Sequence, residues 1–248
     1  MANTTANLGQ TDFLRISPAR MDQAFQPPRI NDMNEGEVQA IVHGNKVFVF
    51  IAGRMPNDAP QLLSTDLVPL KALAVIAPVV NRALAAHNKN NPSTINNIIL
   101  PGGGLRAYSE FLLWVHDVLR AGKLVSLRDL QFKPLTCYSE LVFIANRLRI
   151  AYLAAGLRRR IQGILTVSAD KKLSIDPGDI RDAADHLPQG HWLIAMMVNA
   201  IAFAEMNGWL QDGFKAVLQV LYAEVNGLKI DVERRKVELE QMAQPART

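Results

Sequence analysis

Ile98-Ile99-Leu100-Pro101-Gly102-Gly103-Gly104-Leu105-Arg106-Ala107-Tyr108-Ser109-Glu110-Phe111-Leu112-Leu113-Trp114 is the stretch on which the reading of the fold turns. Ile98-Ile99-Leu100 is a short apolar run with strand character, stopped by Pro101, which has no N–H to give to a ladder. The three glycines form a turn. Beyond them Tyr108, Phe111, Leu112, Val115 and Leu119 recur at three- and four-residue spacing, the one-sided stripe of an amphipathic helix. Ala121-Gly122 closes that helix, because glycine accepts the left-handed conformation of a C-cap.

Upstream, Val38 to Val42 reads as a strand that meets His43-Gly44-Asn45-Lys46, a tight hairpin turn. Val47-Phe48-Val49-Phe50-Ile51 is aromatic and β-branched throughout, which predicts a central strand buried on both faces. Met55 to Pro60 is a loop, and Gln61 to Ser64 a short return strand. Leu70, Leu73, Ala77, Val80 and Leu84 then follow helical spacing. Pro78 falls inside this run and is tolerated only at the start of a helix, so the reading is two consecutive helices, the second opening at Pro78. A polar loop, His87 to Thr94, leads back to the quoted strand. Residues 1–36, rich in Asn, Asp, Gln and Thr with Pro18, Pro27 and Pro28, read as a flexible leader.

Downstream, Leu135, Tyr138, Leu141, Ala145 and Leu148 make one stripe, and Leu153, Leu157, Ile161 and Leu165 the next. Past residue 170 the pattern is helical throughout. Asp176-Pro177 opens a short helix that Pro188 breaks, Trp192 to Met206 is strongly apolar, Phe214 to Val225 is a further helix, and Ile230 to Gln244 is an exposed helix or a fraying tail. No internal repeat occurs. The fold class is α+β, a small sheet capped by helical hairpins and followed by an all-helical C-terminal extension. The expected divisions are the leader at 1–36, a first domain at 37–166 and the extension at 167–248.

The order of these pieces, with the residues that carry them, resembles the BTB/POZ family in the divergent form found among fungal proteins. The likeness begins at Lys46-Val47-Phe48-Val49-Phe50-Ile51 and continues through Val68-Pro69-Leu70, Leu73 and Ala77-Pro78-Val79-Val80. It is strongest at Ile98-Ile99-Leu100-Pro101 with Tyr108, Phe111, Leu112 and Trp114. It returns at Leu141 to Ile150 with Leu153, and at Leu187-Pro188-Gln189-Gly190-His191-Trp192-Leu193. What the resemblance implies is a protein–protein interaction module that self-associates through its N-terminal strand and first helices. Here Lys46 stands where the family often carries Asp, and Leu70 where it carries a basic residue, so the family's charged dimer pocket is not reproduced. Ala77 replaces the usual Ser before Pro78, and Gly102-Gly103-Gly104 the acidic turn.

The chain has 248 residues, 49% hydrophobic and 20% charged, which suits one or two globular domains with a real core. No run of apolar residues is long enough to predict a membrane span, and Met1 to Gln10 lacks the layout of a secretory signal. Cys137, the single cysteine, has no internal partner, which fits a reducing compartment, nucleus or cytoplasm. The net charge of +4 is smaller than one local cluster, Arg147, Arg149, Arg158, Arg159 and Arg160, in a stretch from Leu141 to Ala169 that holds no acidic residue. The cluster can meet phosphates or an acidic partner. The preferred reading is a solvated helix face, with Arg158 to Arg160 at a helix C-terminus where cations suit the dipole.

Other chemistry reads as structural. Gly102-Gly103-Gly104 before a helix has the form of a phosphate cradle but lacks the Gly-Lys-Ser/Thr ending of a nucleotide loop. His186 and His191 straddle Pro188 near Asp182 and Asp185, a conceivable metal contact that reads better as helix capping. Cys137, beside a buried stripe, has no histidine base placed near it. Asp179, Asp182 and Asp185 share one helix face, either as a carboxylate cluster or as the acids that a first turn favours. Trp192 and Trp209 bracket Met196, Met197 and Met206, and this soft helix is either a partner surface or an internal packing surface.

The expectation is therefore a non-enzymatic BTB/POZ-type scaffold with no cofactor, metal or catalytic residue. Protein partners include a possible second copy and a cullin scaffold. Interaction falls on Val68, Leu73, Val80, Leu84, Trp192, Met196 and Trp209. Two alternatives remain open. One is a substrate adaptor for a cullin-type ubiquitin ligase, and the other a nucleic-acid-binding helical protein that uses the arginines at 147–160.

Overall fold

In the computed structural model, which describes residues 13–17, 29–53, 58–63, 66–90, 95–127, 135–173, 175–188 and 190–243, the quoted stretch does form a strand and a helix. The strand, Asn97–Leu100, is the fifth of a small mixed sheet with β1 (Phe13–Arg15), β2 (Lys46–Ile51), β3 (Gln61–Leu62) and β4 (Val68–Pro69). Strand β5 lies between β1 and β2, parallel to both, while β3 and β4 each run antiparallel to β2.

Register decides which side chains share a face. Leu14, Val49 and Ile98 stand side by side, as do Ile51 and Leu100, and with Val47 they make a fully buried apolar layer. The opposite face carries Phe13, Phe48, Phe50 and Ile99. On it Phe13 meets Phe50 edge-on at 5.4 Å, but Phe48 remains 39% exposed. Strand β2 is thus buried on one face, not two as its composition predicts. Aromatic residues serve a half-covered pleat as well as a buried one, and the two-residue neighbours β3 and β4 are too short to shelter Phe48. The doubly buried strand is β5, flanked on both edges.

Two further expectations are corrected upstream. Val38 to Val42 is not a strand but the second half of helix α1 (Glu35–Val42). Asn34 accepts from the Glu37 amide while the Glu37 carboxylate accepts from the Asn34 amide, a complete capping box. Val38 and Ile41, three apart, are the buried pair. His43-Gly44 therefore ends a helix and makes no hairpin, and the Asn45 side-chain amide donates to the Ile95 carbonyl at 2.9 Å. Within the stretch expected as a flexible leader, Phe13–Arg15 is β1 and Arg29–Asp32 a 3-10 turn, with Leu14, Ile16 and Ile30 buried. The rest of that leader up to residue 28 lies outside the described residues.

The paired helices form as the prolines dictate. Helix α2 (Leu70–Ile76) stops at Ala77 and α3 (Pro78–Asn90) starts on Pro78. No side chain caps α2; instead the Leu70 amide donates to the Asn45 carbonyl at 2.9 Å. Helix α4 (Leu105–Ala121) buries Tyr108, Phe111, Leu112, Val115 and Leu119 as the stripe requires, and Gly122 takes φ of 62°. Trp114 is also buried, and its Nε1–H donates to the Val125 carbonyl at 2.9 Å. Each such large apolar side chain contributes about 1.5–3 kcal/mol by leaving water.

Helices α5 (Leu135–Arg147), α6 (Ala151–Leu165), α7 (Pro177–His186), α8 (Trp192–Met206), α9 (Asp212–Glu224) and α10 (Leu228–Ala243) follow. The chain is a mixed α+β structure in two compact units, one of residues up to Leu130 with Glu140–Gly156, the other of Gln131–Ser139 with Leu157–Thr248. The division passes through α5 and α6, whereas the expected boundary lay at 166/167. In the second unit α8 packs on α7 and α10, and Leu173 bridges to Leu210, with the Leu173 amide donating to the Trp209 carbonyl at 2.7 Å. Among the described residues no helix is long and apolar enough to cross a membrane.

Candidate functional site

The residues expected to bind a partner separate into buried and accessible ones. Val68, Leu73 and Val80 are buried in the first unit's own core; the period that singled them out is the period of the core face. Leu84, two turns into α3, is half-exposed. In the second unit Trp192, Met196 and Trp209 are partly accessible. Trp192 lies against His191 at 5.5 Å and Trp209 meets Phe203 edge-on at 5.6 Å. Most of α8 is internal: Leu193, Met197, Ile201 and Ala204 are buried. Met196 lines a groove of about 690 Å³ with Ile194, Asn199, Arg234 and Arg235. The charges there satisfy one another, Arg235 donating to Asn199 Oδ1 at 2.8 Å and to Glu238 at 2.7 Å, and Arg234 pairing with Asp231.

The arginine cluster is divided between the two units. Arg147 and Arg149 belong to the first unit and Arg158, Arg159 and Arg160 to the second. Arg147 is committed to structure: its Nη1 donates to the Gly102 carbonyl at 3.0 Å, and its guanidinium lies 4.2 Å from the Phe143 ring centroid. Arg149 takes φ of 61° in the turn between α5 and α6. Arg158 and Arg159 are exposed, but α6 runs on to Leu165, so they sit mid-helix and not at its C-terminus. Arg160 lies over Tyr138 at 5.9 Å.

The polar groups weighed for chemistry are capping groups. Gly104 begins α4, and a Cβ there would collide with the Glu140 carboxylate, so the anion position at that helix N-terminus already holds a side chain of the same chain. Asp179 and Asp182 on α7 serve the first turn of α5, Asp179 accepting from the Leu135 amide at 2.8 Å and Asp182 from the Thr136 hydroxyl. Burial raises the Asp179 carboxyl above its ordinary value, against the amide bond that lowers it. His186 lies 3.0 Å from Asp182, and His191 caps α8 by accepting from the Leu193 amide at 3.2 Å. Burial lowers the His191 imidazole from its ordinary value, which favours the neutral ring. Cys137 is buried in α5. Among the described residues no three His, Cys, Asp or Glu side chains gather as a metal site.

What the sequence reading missed is a groove of about 630 Å³ in the first unit. The end of α1 gives it Val42, β2 gives Lys46, and Leu67 and Pro69 come from the chain at β4. Its long wall is the outward side of α4, where Leu113, His116, Asp117 and Arg120 follow at i, i+3, i+4 and i+7. Leu113 is 57% exposed and Leu67 42%. The signal for Leu113 was present: it is a leucine out of phase with the buried stripe of its own helix. Nothing in the sequence aligned α1 and Leu67 with it. The chain matches no family model, no curated protein and no solved structure.

Proposed function

We propose that the chain is a protein-binding module of BTB/POZ type, a scaffold and not an enzyme. The observation that carries the reading is the open groove on α4, where Leu113 and Leu67 face water beside polar residues, an exposed apolar pair rimmed by charge. The element order adds support: β2, β3, the α2/α3 pair, β5, α4 and the α5/α6 pair follow in the sequence that the resemblance implies. The polar clusters that an enzyme would use are occupied in capping helices.

Self-association is tested by light scattering behind a sizing column across a concentration series, on the full chain and on Leu84→Asp. Leu84 is half-exposed on α3, so the charge is tolerated by the fold. The expected result is a dimer that the substitution dissociates with circular dichroism unchanged. A strict monomer at every concentration overturns self-association and restricts the reading to foreign partners.

A further inference from the structure

Resting on that protein-binding reading, we propose that the α4 groove takes an acidic amphipathic helix from a partner protein, with leucine-like side chains on one face and carboxylates beside them. The apolar lining includes Val42, Leu67, Pro69 and Leu113. Lys46 and Arg120 line the same groove, both exposed, and among the described residues no side-chain hydrogen bond or ion pair engages either. Among the described residues that line the groove the one acid is Asp117, which has an interaction of its own. Among the described residues the lining therefore offers two cations against one engaged carboxylate, and the occupant it favours is negative.

Geometry favours a helix as the occupant. Leu113, His116, Asp117 and Arg120 form one stripe along α4, and its two i, i+4 rows, Leu113 with Asp117 and His116 with Arg120, can pack between the rows of a second helix. Leu113 sits about two turns from Arg120, so an occupant's leucine and its carboxylate would lie about two turns apart on its own surface. The second unit's α8/α10 groove makes a useful contrast. Its cations already pair with Asp231 and Glu238 on the same helix, so it has no charge preference to offer.

The test pans a displayed library of random peptides, long enough for about four helical turns, on the full chain, then measures the enriched peptides by fluorescence anisotropy. The comparison proteins are Leu113→Asp, the pair Lys46→Glu/Arg120→Glu, and a control pair Arg158→Glu/Arg159→Glu, all at exposed positions. Circular dichroism and tryptophan fluorescence report that each is folded. The expected result is enrichment of sequences with Leu and Asp or Glu at helical spacing. Their affinity should fall roughly tenfold or more on Leu113→Asp and on the groove charge reversal, and weaken with salt, with the control unchanged. Peptides that bind but ignore both groove variants overturn the groove and leave protein binding standing. No enrichment over blank support overturns both. A dimer that Leu113→Asp dissociates also overturns the proposal, since a second copy would then be the occupant.

Discussion

Replacing Tyr108 by phenylalanine removes one oxygen from the core of the first unit, and two separable effects should follow. The hydroxyl donates to the Pro101 carbonyl across the strand-to-helix turn, with both residues buried. Losing the bond and leaving that carbonyl without its donor costs about 1–3 kcal/mol. The second effect is a linkage. Burial pushes the Tyr108 phenol well above the ordinary tyrosine value, outweighing the nearby Arg147 charge that lowers it. The folded chain therefore keeps a proton that the unfolded chain releases above about pH 10. This contribution is fully present below that pH and falls as pH rises, by about 1.4 kcal/mol at roughly pH 11. Tyr108→Phe has no such proton, so its penalty should shrink by about 1.4 kcal/mol between roughly pH 8 and pH 11. Urea unfolding followed by Trp114 fluorescence, with Trp192 and Trp209 replaced by phenylalanine, reads the first unit alone. A penalty that is the same at both pH values, or absent at the lower one, refutes the reasoning.

Asp179→Asn keeps an acceptor for the Leu135 amide but removes the partly buried charge. Because burial raises the folded carboxyl, its contribution is full below the unfolded value of about 3.9 and is lost as pH rises. The substitution should thus gain stability relative to the parent from about pH 3 to neutrality in thermal unfolding, and a relative loss over that range would contradict it. Gly122→Ala places a Cβ only 3.8 Å from Val38, ordinary contact, so its cost is the backbone conformation at φ of 62°. That should amount to about 1–2 kcal/mol in urea unfolding, with Gly122→Asn costing less.

Where one residue type settles the backbone, the sequence was legible. Pro78 divides α2 from α3, Gly122 ends α4, and Asp176-Pro177 opens α7 with the Asp176 side chain accepting from the Gly178 amide. Val38 to Val42 misled because Val38, Ala40 and Val42 also alternate at the strand period. The decisive signal was the Asn34/Glu37 box one turn earlier. For β2, composition marked a strand but not how many faces its neighbours cover. The roles of Asp179 and Asp182 rest on bonds to residues more than forty positions away, which no local spacing records. The groove is harder still, since Val42, Lys46, Leu67 and Leu113 meet only once α1, β2, the chain at β4 and α4 have packed.

The parallel ladder between β1 and β5 sets Leu14 beside Ile98, 84 positions later in the chain. At ribosomal speeds of about 5–20 residues per second, Phe13–Arg15 waits roughly 4–17 seconds for its only described ladder partner to be synthesised. Closing so long a loop adds little equilibrium cost but slows folding. During synthesis β1 therefore waits unpaired, and the first of the described strands is among the last to settle.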